Sequence, residues 1–117
     1  MNDKIHIEGI PDDMIANNLF PSNLIHPGEM IKDEIEFRGI SQTELAREID
    51  MPVSVVNEIL NGKRSVNVDF ALLLEAALGI EADLWLRLQA DYNKQKAMTN
   101  PSFLEKLSKV RRIASVL

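Results

Sequence analysis

Residues 41–62 have the sequence SQTELAREIDMPVSVVNEILNG, and the spacing of their apolar side chains predicts two short helices joined by a tight turn. Ser41, with Glu44 three positions later, has the pattern of a capping box, which would begin the first helix. Pro52 would begin the second helix, and Gly62 would end it because glycine tolerates left-handed backbone. Two such helices form a helix-turn-helix, a motif whose second helix enters the major groove of DNA.

The flanking segments predict further helices, because their apolar residues recur at intervals of three and four and no segment alternates as a strand would. Leu84 and Leu88 are expected on the core-facing side of the fifth helix. Leu107 is expected on the core-facing side of the last helix. The predicted fold class is all-α. We expect an N-terminal arm over residues 1–26, a helix-turn-helix domain over 27–97 and an amphipathic helix over 98–117.

The composition limits the possible functions. The chain has 117 residues and no cysteine, which excludes disulfides and thiolate metal sites. No apolar run is long enough for a membrane span and the start lacks the pattern of a secretory signal, so we expect a cytoplasmic protein. A net charge of −5 excludes a protein that coats DNA, although a specific DNA reader can be acidic if its cations are local. Acidity also suits a second, basic partner.

The start of the second motif helix should meet base edges. The candidate residues there are Pro52, Val53, Ser54 and Val55, with Asn57 one turn later. The Ser54 hydroxyl can bond several base edges, Val53 can pack on a thymine methyl group, and Asn57 can pair with adenine. Because none of these residues is an arginine or a glutamine, the reading tip is unusually apolar.

Phosphate contacts are expected on either side of that helix. Gln42 begins the first motif helix, where free N–H groups favour an anion. Asn61, Lys63 and Arg64 follow the second helix and could hold the DNA backbone on its other flank. Glu58 lies close to them in the sequence and would repel phosphate. Affinity through such contacts should fall as the salt concentration rises.

At these residues the sequence resembles the phage-repressor type of helix-turn-helix family. The stretches that carry this resemblance are SQTELA at 41–46 and NGKR at 61–64. Three further stretches resemble the HigA-type antitoxins of toxin–antitoxin modules: HPGE at 26–29, AALGI at 76–80 and LWLRLQADY at 84–92. The tail from residue 102 resembles members that carry a C-terminal extension.

The resemblance implies a lambda-repressor-like domain of five helices, with an arm before it and an extra helix after it. It also implies a homodimer that binds a palindromic operator in double-stranded DNA, with half-sites about one helical turn apart. Such a protein neutralises a small, basic RNase toxin and represses its own operon. The family often has glycine where this chain has Asp50, and more polar residues in place of Pro52, Val53 and Ser54.

Several residues allow two interpretations. Trp85 and Tyr92 are expected either in the core or in a dimer contact. The apolar stripe of Phe103, Leu107 and Val110 is expected to be buried either on the domain or on a second copy of the chain. The carboxylates of the first helix are expected either in a solvated face or in a toxin-binding surface; they are Glu29, Asp33, Glu34 and Glu36. The basic residues of the last helix form a solvated face or approach DNA; they are Lys106, Lys109, Arg111 and Arg112.

Neither catalysis nor a cofactor is expected. The histidines, His6 and His26, have no companion ligands that would make a metal site, and His26 is better placed to cap the first helix. No nucleophile–base pair is visible, so an enzyme is not predicted. Two alternatives to the antitoxin remain open: a phage-like repressor without a toxin, and a helical protein-interaction module that has lost DNA binding.

Overall fold

Six helices and no strand make up the part of the chain that the computed structural model describes, residues 24–116. The predicted all-α fold class is confirmed. The helices are α1 (Pro27–Phe37), α2 (Gln42–Glu48), α3 (Val53–Leu60), α4 (Val68–Leu78), α5 (Ala82–Met98) and α6 (Pro101–Ala114). The expected N-terminal arm lies outside the described residues except for its last three. None of the described helices is both long and apolar enough to cross a bilayer.

The predicted helix caps are present. The N–H of Gly28 donates to His26 Nδ1 at 2.9 Å, so His26 does cap α1. The N–H of Glu44 donates to the Ser41 hydroxyl and the N–H of Ser41 donates to the Glu44 carboxylate, which completes the capping box. Each such cap contributes about 1 kcal/mol, because it satisfies N–H groups that the helix leaves unpaired. The box also fixes the start of α2, and therefore the place of Gln42.

The turn between α2 and α3 depends on Asp50. Its φ of 53° is the one positive value among the described residues other than glycine, and aspartate tolerates this left-handed backbone better than most residues do. Pro52 is extended, and its carbonyl accepts hydrogen bonds from the N–H groups of Val55 and Val56. Pro52 therefore flanks α3, which begins at Val53, one residue later than predicted.

The described residues divide into two compact units: the first is 25–92, and the second is 93–116 together with Leu24. The core of the first unit contains the inward side chains of α1 to α5, and its largest fully buried members are Phe70, Ile31, Leu45, Leu60, Leu74 and Val56. Helices α1 and α3 approach closely, because a Cβ added to Gly28 would overlap the carbonyl oxygen of Ile59. This approach brings α1 to the C-terminal end of α3.

Helix α5 shows one wrong prediction and one residue that the apolar pattern could not identify. Leu84 is 36% exposed, whereas Trp85 and Gln89 face inward, at 3% and 5% exposed. The Oε1 atom of Gln89 accepts a hydrogen bond from the buried N–H of Val66 at 2.8 Å, which is why a polar side chain occupies an inward position. The buried Nε1 atom of Trp85 has no hydrogen-bond partner among the described residues.

The second unit contains α6, which begins at Pro101 and has Asn100 as its N-cap. The Asn100 side-chain oxygen accepts hydrogen bonds from the N–H groups of Ser102 and Phe103. Leu104 and Ser108 are buried and Leu107 is half-buried. Two of the apolar residues expected on the inner stripe, Phe103 and Val110, are 40% and 52% exposed.

Candidate nucleic-acid interface

The outer face of α3 presents polar side chains at intervals of three and four residues. Ser54, Asn57 and Asn61 are all exposed, and this spacing places them on one side of the helix. Pro52 and Val53 are exposed at the N-terminal tip, where Val53 is 47% exposed. The opposite side of α3 packs in the core through Val56, Ile59 and Leu60. A helix with one free polar face and a firmly packed back can enter a groove without losing its support.

Val55 is the predicted tip residue that differs most from its neighbours. It is half-buried and packs against the hydrophobic core. Its side chain is therefore less available to a base than the side chain of Val53. The tip therefore offers the exposed surfaces of Pro52, Val53 and Ser54.

A hydrogen bond joins the two helices of the motif across their outer surface. The Nδ2 atom of Asn57 donates to the Oε1 atom of Gln42 at 2.9 Å. Gln42 is the first residue of α2 and is half-buried, whereas Asn57 lies in the middle of α3 and is exposed. These two residues, which were predicted to contact DNA separately, are therefore joined as a hydrogen-bonded pair.

Positive charge lies beside the C-terminal end of α3. Lys63 and Arg64 are exposed in the loop that follows the helix. Lys32 reaches the same place from α1, with its Nζ atom 3.4 Å from Asn61 Oδ1. Lys32 was not among the predicted phosphate contacts, although it is the one cation within α1 and directly follows the buried Ile31, a position that lies at the border of the packed face.

An acidic side chain sits among these cations but is paired. Arg64 donates from Nε and Nη2 to one carboxylate oxygen of Glu58, at 3.0 and 2.9 Å. The predicted repulsion of phosphate by Glu58 is therefore reduced, because its charge is balanced within the protein. The same pair occupies Arg64 while no DNA is bound.

The basic loop between α3 and α4 is fixed at both ends. At its start, Gly62 has a φ of 76°, and a Cβ there would touch the side chain of His26 at 3.4 Å. The ring of His26 in turn meets the ring of Tyr92 edge-on, with centroids 4.9 Å apart. At its end, the Val66 N–H is held by Gln89. The cations of this loop are thus carried on a backbone with a defined position.

The residues predicted for dimer contact or packing fall into two groups, those that pack within their own unit and those that expose apolar surface. Trp85 belongs to the core of its own unit, and Tyr92 is half-buried against His26. In the second unit Leu107 is half-buried, and Phe103 and Val110 offer exposed apolar surface.

The outer side of α1 exposes both acidic and large apolar side chains. Glu29, Asp33 and Glu36 are exposed there, whereas Glu34 forms an ion pair with Arg38 at 2.9 Å. The same helix exposes two large apolar side chains, Met30 at 43% and Phe37 at 88%. Among the described residues, no group of three or more acidic, histidine or cysteine side chains is arranged to hold a metal ion; His6 lies outside them.

Three comparisons with known proteins agree with this geometry. A family model described as helix-turn-helix matches residues 31–85. Virulence-associated protein A of Dichelobacter nodosus is 38% identical over 88 residues, which cover 74% of this chain and 84% of that protein. The structure of an addiction module antidote protein of the HigA family from Coxiella burnetii is 37% identical, with a TM-score of 0.63 over 66% of this chain and 85% of that one.

A further solved structure includes DNA. It is the Pseudomonas aeruginosa antitoxin HigA with the higBA promoter, which is 32% identical to this chain. The match covers 66% of this chain and 85% of the Pseudomonas chain, with a TM-score of 0.63.

Proposed function

The chain belongs to the helix-turn-helix family of HigA-type antidote proteins, which are DNA-binding antitoxins and repressors rather than enzymes, and on that premise we propose what it binds. It acts as a homodimer on a palindromic operator, represses its own operon, and neutralises a small, basic RNase toxin. We propose that the chain meets both the operator and the toxin in the cytoplasm.

One observation carries the DNA half of this proposal. The exposed polar face of α3 is flanked by the side chains of Lys32, Lys63 and Arg64, and the acidic side chain beside them, Glu58, is paired. An acidic chain that concentrates its cations beside an exposed helix can attract DNA locally in spite of its net charge.

In the proposed complex, α3 lies in the major groove. Val53 packs on a thymine methyl group, Ser54 bonds a base edge, and Asn57 meets adenine, which together would supply the base readout. The three cations bind phosphates and set the register without choosing a sequence. Each phosphate that they neutralise adds about 0.9 to the steepness with which affinity falls with salt.

A homodimer would place two copies of α3 about one helical turn apart, roughly 34 Å, on two half-sites. Apolar surface for the contact between copies is available on α6, where Phe103 and Val110 are exposed. A palindromic operator follows from the two-fold symmetry of such a dimer.

The proposed binding of a toxin is supported by the outer side of α1. Its exposed carboxylates, Glu29, Asp33 and Glu36, match a basic partner in charge. Phe37, which is 88% exposed, offers an aromatic anchor of the kind that dominates many protein interfaces.

The test uses the full chain and the genes beside its own. We expect the purified chain to bind the DNA upstream of its gene with strong salt dependence, and to co-purify with the product of a short neighbouring gene that is toxic when expressed alone. Binding to that DNA without a toxic neighbour would favour the repressor without a toxin. Failure of both the chain and its complex to bind the DNA would leave only the protein-interaction module.

A further inference from the structure

The bond between Gln42 and Asn57 has a direction that matters for base readout. Asn57 donates through Nδ2, and Gln42 accepts through Oε1, at 2.9 Å. The two residues lie on different helices, fifteen positions apart. A side-chain amide can turn by about half a turn and exchange its oxygen and nitrogen. While Gln42 presents its oxygen at this contact, as it does in the structure, Asn57 can bond to it only through Nδ2, which fixes the orientation of the Asn57 amide.

The orientation leaves a defined set of groups on Asn57. An asparagine amide has two N–H donors and one oxygen with two lone pairs. With one N–H directed to Gln42, the second N–H and the oxygen remain for the groove. Adenine presents the complementary pair there, an amino donor at N6 next to an acceptor at N7, and asparagine can bond both at once.

The other exposed residues at the start of α3 cannot make this choice. The hydroxyl of Ser54 can rotate to donate or accept, so it suits several bases. Val53 offers only methyl groups, which favour thymine by contact alone. An amide held in one orientation from a second helix would be the most selective element of an otherwise apolar tip.

We infer that Gln42 is a positioning residue for base readout: it holds the Asn57 amide so that the free oxygen and N–H select adenine in each half-site. This inference rests on the proposed DNA binding, in which Asn57 meets adenine, and adds the residue that holds the Asn57 amide for that contact. Gln42 thereby has a role beyond the phosphate contact expected from its place in the sequence.

Isosteric substitutions test the direction of the bond in the free protein. Gln42→Glu keeps an oxygen for Asn57 to donate to, whereas Gln42→Met removes it. The side-chain amide signals of Asn57, followed by nuclear magnetic resonance, should stay close to those of the wild type in Gln42→Glu and move toward those of a solvated amide in Gln42→Met. If Gln42→Met leaves these signals unchanged, the pair does not form in solution and the inference is wrong.

Base preference is then measured on DNA. The wild-type chain first selects its sites from a pool of randomised duplexes, and single-base variants of the selected duplex are compared at one salt concentration. We expect adenine at one position of each half-site to be preferred by about 5- to 150-fold, the range of a bidentate contact. Asn57→Ala and Gln42→Met should both lose most of that preference. Gln42→Glu should keep it while binding all duplexes more weakly, because the added charge repels phosphate.

Two outcomes separate this inference from the proposed function. If Gln42→Met lowers stability but retains the adenine preference, the bond only joins α2 to α3 and the inference fails while DNA binding stands. If the wild-type chain selects no sequence from the pool, the proposed operator binding fails and the inference fails with it.

Discussion

Arg64 donates two hydrogen bonds to a single carboxylate oxygen of Glu58, from Nε at 3.0 Å and from Nη2 at 2.9 Å. Both side chains are about half-exposed. A phosphate that approaches this side of α3 would therefore compete with Glu58 for the guanidinium group. The pair makes DNA binding an exchange of partners for Arg64, which reduces the gain from the new contact.

Replacement of Glu58 by glutamine should strengthen DNA binding. The change removes the competing charge, and since exposed ion pairs contribute up to about 1 kcal/mol, we expect a gain of about two- to fivefold at low salt. The gain should shrink as salt is added. Fluorescence anisotropy with a labelled operator measures it. Weaker binding by Glu58→Gln would instead mean that Glu58 holds Arg64 in the orientation that DNA requires.

Loss of one cation beside α3 should reduce the salt dependence of binding without changing the preferred sequence. Lys32→Ala, Lys63→Ala and Arg64→Ala should each lower the slope of log affinity against log salt by about 0.9. Titrations at four or more salt concentrations give the slope. Lys94→Ala, which removes an exposed lysine of α5, serves as the control and should leave the slope unchanged. An unchanged slope in Lys32→Ala would remove Lys32 from the interface.

Substitution of Gly28 by alanine should destabilise the fold. The new Cβ would overlap the carbonyl oxygen of Ile59, and because backbone cannot move aside cheaply, we expect a loss of roughly 2 kcal/mol or more. The matched control is Gly39→Ala, where a Cβ meets nothing within 4 Å but the backbone is left-handed, with a φ of 72°. We expect the control to cost about 1 kcal/mol, because alanine would have to adopt this left-handed backbone. Urea unfolding, followed by the fluorescence of Trp85, distinguishes the two.

Charge reversal on α1 should weaken the toxin complex and leave stability unchanged. Asp33 and Glu36 are exposed, so the double change to lysine should alter the fold by less than about 1 kcal/mol. It should, however, replace attraction by repulsion toward a basic partner. Asp91→Lys, on the exposed side of α5, is the control. Co-purification and growth rescue in cells that express the toxin provide the readout; equal rescue by both variants would place the toxin contact elsewhere.

Features that depend on neighbouring residues could be predicted from the sequence. The caps at His26, Ser41 and Asn67 each act within three positions of the residue that they cap. The composition of a short segment is therefore enough to identify them. The left-handed glycine that ends each of two helices, Gly62 and Gly79, is predictable for the same reason.

Features that join distant segments could not be predicted in this way. Gln89 supports a loop twenty-three residues earlier, and the spacing of apolar residues does not reveal its inward position because its side chain is polar. The same spacing predicted Leu84 to be buried, whereas on α5 this large apolar residue is exposed and a glutamine is buried. The neighbours Lys32–Asn61 and Gln42–Asn57 depend on how three helices meet, which no local pattern encodes.

The left-handed backbone at Asp50 has a consequence for the genetics of the turn. Codons for aspartate and glycine differ by a single nucleotide, so Asp50→Gly lies one mutation away. Glycine would relieve left-handed strain of about 1 kcal/mol, but it would also give the unfolded chain about 0.4–1 kcal/mol of additional entropy. The two effects nearly cancel, and the urea midpoint of Asp50→Gly should stay close to that of the wild type. This position can therefore drift between the two amino acids during descent while α3 keeps its place.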